Sequence, residues 1–319
     1  MTDLHGDWDA YQRYRACFEL LHAQGQAEWL IFAGDLIHPH LSSVADRSLE
    51  IVLDVMALRE RYGDRIIYLC GNHELPHIYG LLLSKGKVQY TPPFEQAMSA
   101  SGQRERVLGL FESLPFFIRT AAGVTITHAG ASHATIEPDD ARMLWNWDHQ
   151  AFLAHFDKMV PLFERAALRS GFAKLSGAGS YAELAAEALA VTDPKDPRFD
   201  NLLRGWILSS LPHFALLRAA LFSKCEQVYG SDGYKNMRYA DLVNTLLMHL
   251  SVEFEPQYLL VSGHISVQGG HAFVTPQHLR MASAAHARPR EAGQCLLFDT
   301  GRPLMRIEEL AAGLRPVFA

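Results

Sequence analysis

The chain has 319 residues, 49% of them hydrophobic and 20% charged, with 35 acidic against 29 basic side chains and a net charge of −6. This is the balance of a soluble globular protein with a sizeable core, and without a Lys/Arg run it argues against a nucleic-acid face, which needs clustered cations to neutralise phosphates. No apolar stretch reaches the ~18 residues of a membrane span; the most apolar region, Trp206 to Phe222, is broken by Ser209, Ser210, Pro212, His213 and Arg218.

The opening Met1-Thr2-Asp3-Leu4-His5 carries neither a basic nor an apolar leader, so the expected location is cytoplasmic. In chain order, helical periodicity covers about Trp8 to Ala23, and Trp29 to Ala33 reads as a strand that stops at Gly34-Asp35. Val44 to Tyr62 places Leu49, Val52, Leu53, Met56 and Ala57 at helical spacing before a Gly63-Asp64 stop, and Arg65 to Cys70 is a second strand running into Gly71-Asn72-His73-Glu74. Together these form a βαβ unit. A helix is expected over Glu95 to Phe111, then a strand over Val124 to Thr127 that stops at His128. From about 149 to 236 the chain is Ala- and Leu-rich, helical in pattern and broken by Gly177-Ala178-Gly179 and Asp193 to Pro197, which reads as a helical insertion. A helix over Tyr239 to Phe254 and a strand over Tyr258 to Ser262, ending at Gly263-His264, follow. Short strands are expected near Ala272 to Val274, Leu279 to Ala282 and Cys295 to Asp299.

Four of these strands end in Asp, Asn or His, and ligands of open α/β sheets bind beyond the carboxyl ends of strands. With Asp3-Leu4-His5-Gly6 at the start, two carboxylates, an amide and several imidazoles would meet at one edge. Taken singly, each piece reads as a turn or a hydrogen-bonded loop histidine. Taken jointly, five pieces in order point to a mixed oxygen and nitrogen ligand set that suits Mn, Fe or Zn. Cys17, Cys70, Cys225 and Cys295 are dispersed and form no CxxC pair, so neither a disulfide framework nor a thiolate zinc site is indicated.

With these motifs the chain resembles the calcineurin-like metallophosphoesterases, and among them the phosphoprotein (Ser/Thr) phosphatase branch. Ser48-Leu49-Glu50, Ile78-Tyr79-Gly80, His264 to Gly270, Leu279 to His286 and Glu291 to Asp299 carry the likeness beyond the metal motifs, over roughly 1–148 and 237–300. The resemblance implies an α/β fold, an α-β-β-α sandwich of two mixed sheets, as one domain over 1–319 with the helical insertion at about 149–236. It implies two divalent metal ions, one held by Asp3, His5 and Asp35 and the other by Asp35, Asn72, His128 and His264. It makes Asp35 the bridge and His73 the general acid, and places Arg238 near the position of a phosphate-binding arginine; an ordinary solvated helix-start arginine is an equal reading. Ser266 stands where many relatives outside the branch carry a second metal-binding His. The implied reaction is hydrolysis of phosphomonoesters by a metal-bridging hydroxide, with a phosphoprotein as first substrate. A small phosphorylated metabolite or a dinucleoside polyphosphate is the second reading, and a catalytically weak metal-binding regulator is a reading of another class. Oligomeric state is left open.

Three departures from that pattern stand out. Where the branch places Asp-Arg-Gly after the bridging Asp, this chain reads Leu36-Ile37-His38-Pro39-His40, with Asp46-Arg47 further on. The expectation is that His38 or Asp46 contacts His73 and that Arg47 points to phosphate, against a capping box over Ser43 to Asp46 that leaves Arg47 solvated. Only two residues precede Asp3, which suggests an upstream start. The stretch between His128 and Arg238 is longer than a minimal member needs, which suggests a helical cap over or beside the site that narrows access, or else a remote surface decoration or an oligomer contact.

Overall fold

The computed structural model describes residues 1–40, 44–229 and 237–318. Helix α1, Trp8–Ala23, starts where the Asp7 carboxylate accepts from the Ala10 amide at 3.0 Å, and it buries Tyr11, Tyr14 and Phe18 on one stripe. Strand β1, Leu30–Phe32, pairs in parallel with β2, Ile66–Tyr68, with Leu30 opposite Ile66. Between them α2, Ser48–Tyr62, buries Ile51, Val52, Val55 and Leu58 and ends at Gly63, whose φ of 64° only glycine adopts without strain. The expected βαβ unit is therefore present. Its helix begins at Ser48 rather than Val44, because the Asp46 carboxylate accepts from the Ser48 amide at 3.0 Å and holds the preceding residues out of the helix. The capping box expected from Ser43 lies outside the described residues.

A five-stranded mixed sheet runs in the order Phe117–Arg119, Val124–Thr127, Leu259–Ser262, His278–Met281, His271–Thr275. Its three central strands are parallel, and each flanking strand is antiparallel to its neighbour. The central strands are buried along their whole length, as parallel strands covered on both faces must be. One face packs Val124, Ile126, Val261, Leu279 and Met281 against Ile31, Ala33, Ile67 and Leu69 from the β1 and β2 side. The other face is covered by the helix Tyr239–Leu250, whose Leu242, Val243, Leu246 and Leu247 cluster with Leu260 and Phe117. With α1 laying Tyr11 on Phe32, ring centroids 6.2 Å apart, the layers run helix, sheet, sheet, helix.

Phe117–Arg119 is an edge strand that hydropathy does not reveal, since all three of its residues are half-buried and none alternates. The single helix expected over Glu95 to Phe111 is two, Thr91–Ser101 and Arg104–Phe111, because Gly102 terminates the first in the left-handed region at φ 69°.

The described residues divide into two compact units. The first comprises 1–72, 114–147 and 216–319 and contains the sheets above; the second comprises 73–113 and 148–215 and is helical apart from one short hairpin. The helices of 149–208 thus group with those of 75–111 in the second unit. Among the described residues no helix is long and apolar enough to cross a membrane.

Candidate metal centre

The centre of the first unit is assembled by strand ends. Asp35 lies three residues past β1, Asn72 four past β2, His128 directly after Val124–Thr127 and His264 two past Leu259–Ser262. The amino-terminal segment supplies Asp3 and His5 by running alongside 31–36, with the amides of Asp3, His5 and Gly6 donating to Gly34, Asp35 and Leu36 at 3.0, 3.1 and 2.8 Å. Asp3, His5, Asp35 and His264 all adopt positive φ, between 48° and 71°. For residues with a Cβ this costs about 1–3 kcal/mol each, and such positions collect at functional sites. Two glycines make the approach possible. A Cβ on Gly34 would stand 2.6 Å from His128 Nδ1, and one on Gly263 would stand 2.2 Å from Asp3 Oδ2.

The tautomers follow from the backbone. His128 Nδ1 donates to the Ala33 carbonyl at 2.9 Å, so the neutral ring turns a lone pair at Nε2 toward Asn72 Oδ1 at 2.9 Å, His264 Nδ1 at 3.2 Å and Asp35 Oδ2 at 3.3 Å. His5 Nδ1 donates to the carbonyls of Ile37 and His38, leaving Nε2 to face Asp3 Oδ1 at 3.9 Å and Asp35 Oδ2 at 3.8 Å. Asp3 Oδ2 is held by the Thr2 hydroxyl and the His264 amide, while Oδ1 points inward. Asp3 Oδ1 and His264 Nε2 are buried without a hydrogen bond among the described residues. A set of convergent lone pairs in a buried site fits a cation and little else.

Electrostatics agree with the geometry. Burial opposes charge on His128, yet the Asp35 carboxylate, through its charge and contact, and Asp3 behind it raise the imidazole to about 9. Burial, helped by the charge of His128, pushes His264 down to about 3. Burial would likewise raise Asp3, but the facing His286 holds its carboxyl well below the ordinary range. A proton on His128 is the small positive charge that the chain itself can place among these groups.

The structure brings together Asp3, His5, Asp35, Asn72, His128 and His264, with Asp35 Oδ2 3.8 Å from His5 Nε2 and 3.3 Å from His128 Nε2. His73, next in the chain after Asn72, belongs to the second unit, where its half-buried ring lies 5.3 Å from that of Tyr90. His38 is buried in the left-handed region, its amide bonded to Ser48 Oγ at 2.8 Å, and Asp46 binds the same Ser48. Arg47 is 44% exposed, paired with Glu50 at 2.6 Å and lying over the Trp8 ring; Arg238 is 67% exposed and paired with Asp241. Both arginines stand outside the buried cluster. Sequence reasoning missed His286, whose Nδ1 lies 3.2 Å from Asp3 Oδ1, and His40, whose ring is 5.1 Å from that of His5. His286 follows the buried strand His278–Met281 by five residues, so the rule that found the other candidates, a polar residue beyond a buried strand, would have found it too.

A family model described as calcineurin-like phosphoesterase matches residues 1–174. A search of curated protein sequences returns no match. Among solved structures, a protein serine/threonine phosphatase from Saccharomyces cerevisiae is similar at 15% identity, covering 94% of this chain and 74% of that one, with a TM-score of 0.45. A cold-active protein-tyrosine phosphatase from a psychrophilic Shewanella species is similar at 14% identity, covering 94% of this chain and 74% of that one, with a TM-score of 0.46.

Proposed function

Because this chain belongs to the calcineurin-like phosphoesterases, a family of hydrolases, we propose that it cleaves phosphomonoesters at a dinuclear centre held by Asp3, His5, Asp35, Asn72, His128 and His264. The observation that carries the proposal is the convergence of carboxylate, amide and imidazole ligand atoms from all six side chains at one buried point, four of these residues on left-handed backbone. One cation falls to Asp3, His5 and Asp35 and the other to Asp35, Asn72, His128 and His264. Two divalent ions such as Mn, Fe or Zn supply there a water acidified toward a pKa of ~7 and neutralise the oxygens of a bound phosphate.

The remaining work falls to the chain. The Ala33 carbonyl fixes the His128 ring, and the Ile37 and His38 carbonyls fix His5, so neither ligand must reorient when substrate enters. His73, delivered beside Asn72 by the backbone, donates the proton to the departing alkoxide. Arg47 and Arg238 are the cations that meet phosphate, each exchanging its carboxylate partner, Glu50 or Asp241, for a substrate oxygen. A phosphoserine or phosphothreonine protein in the cytoplasm is the first substrate, with no part for nucleic acid or membrane.

Elemental analysis paired with p-nitrophenyl phosphate turnover on one Mn²⁺-treated sample tests this. About two metal equivalents are expected, and His73→Asn should lower kcat by ~10²–10⁴-fold with metal content unchanged. Bound metal with negligible turnover would favour a regulator, and absence of metal would remove the centre altogether.

A further inference from the structure

We propose that the cation on the Asp3 side is held by three imidazoles, His5, His40 and His286, and not by His5 alone; this rests on the dinuclear reading above. The three rings surround one point. Their centroids are 5.1 Å apart in each of the three pairings, and each ring offers a ligand nitrogen within 4.8 Å of the other two. His5 Nδ1 is committed to backbone carbonyls, so its contribution is Nε2, the same atom that faces Asp3 and Asp35. One ion therefore takes all of these groups.

His286 faces Asp3 as a close, buried neighbour. Its Nδ1 lies 3.2 Å from Asp3 Oδ1, yet both atoms are buried and neither makes a hydrogen bond among the described residues. Two ligand atoms at ~2.1 Å from one ion stand about 3.4 Å apart at a tetrahedral angle and about 3.0 Å at an octahedral one. The observed 3.2 Å lies between these. The backbone pins His286 from both sides: its amide donates to Ser283, its carbonyl accepts from Val267 at 3.0 Å, and the Ser283 hydroxyl accepts from the Thr2 amide, next to Asp3. Ser266, by contrast, is exposed and accepts from Arg288 at 3.3 Å, away from the ligands. His40, half-buried, closes the third side.

Three imidazoles with carboxylate select a late first-row dication such as Zn²⁺ or Co²⁺ over Mg²⁺ or Ca²⁺, which favour oxygen. Equilibrium dialysis of the full chain against Co²⁺, with elemental analysis and visible spectra, tests the assignment without reference to turnover. The wild type should bind two equivalents. His286→Ala and His40→Ala should each weaken one equivalent by at least about tenfold and change the Co²⁺ absorption, with the other equivalent retained. His271→Ala, a ring bonded to Gln294, should change neither. Unaltered affinity and spectrum in His286→Ala and His40→Ala overturn the three-imidazole site and leave the dinuclear centre standing; a wild type that binds no Co²⁺ overturns the dinuclear centre itself. Where His286→Ala does not fold, ¹⁵N-histidine spectra of the wild type with Zn²⁺ decide. Coordination shifts the His286 ring nitrogen, and an unmoved signal overturns the proposal.

Discussion

A buried cluster of charged and imidazole groups in the second unit and the one around Asp35 in the first are built on opposite plans. In the second unit Glu95, fully buried, receives two hydrogen bonds from Arg198 at 2.8 and 3.1 Å and one from His77 at 2.8 Å. Every carboxylate oxygen meets a donor, so the cluster is closed. In the first unit Asp3, Asp35, Asn72 and the surrounding imidazoles converge on one point, and the carbonyls of Ala33, Ile37 and His38, which accept from the His128 and His5 rings, fix ring orientation and supply no countercharge. A closed cluster stabilises one fold. An open one leaves its balance to something bound from outside.

The contrast can be broken at either end. Asp35→Asn should produce the largest effect, a loss of roughly 10³-fold or more in kcat/KM together with loss of bound metal, while thermal unfolding in chelator moves little; a variant that keeps both equivalents would show that Asp35 is no bridge. Glu95→Gln should do the reverse. It leaves the Arg198 guanidinium buried without its anion and should cost about 3–5 kcal/mol in denaturant unfolding, with metal stoichiometry intact.

A pH titration sharpens the same point. Burial works to raise the Glu95 carboxyl, but His77 and Arg198 overcome it and hold it at about 2. A carboxyl depressed in the folded state contributes stability that is full above its unfolded pKa of ~4.3 and is lost as pH falls toward the folded value. Unfolding free energy should therefore drop between about pH 5 and pH 2 in the wild type, and Glu95→Gln should flatten that limb. An identical acid limb in both chains would place the acid sensitivity elsewhere. The smallest effect is expected at the surface: Arg47→Ala should raise KM severalfold and change stability by less than about 1 kcal/mol, and an unchanged kcat/KM would remove Arg47 from the phosphate site.

Legibility from sequence follows the same division. Candidate ligands placed by backbone rules were readable, because a buried strand that stops at Gly-Asp, Gly-Asn-His or Gly-His marks a strand end, and Asp35, Asn72, His128 and His264 all sit at such ends and converge. His286 stands beyond a buried strand and was legible by the same rule, whereas His40 comes within reach of His5 and His286 only in the fold. Nothing local in the sequence signals that Glu95 and Arg198 are buried together across 102 intervening positions. The helix break at Gly102 was present as a glycine, yet the apolar period on either side masked it.

The left-handed backbone at Asp3, His5, Asp35 and His264 has a bearing on engineering. Glycine at any of the four would relieve local strain, so a search for heat-resistant variants would reward the loss of these candidate ligands one by one. Thermal selection alone would thus drift toward an inert scaffold, and any stabilisation campaign on this chain has to screen for metal retention alongside melting temperature.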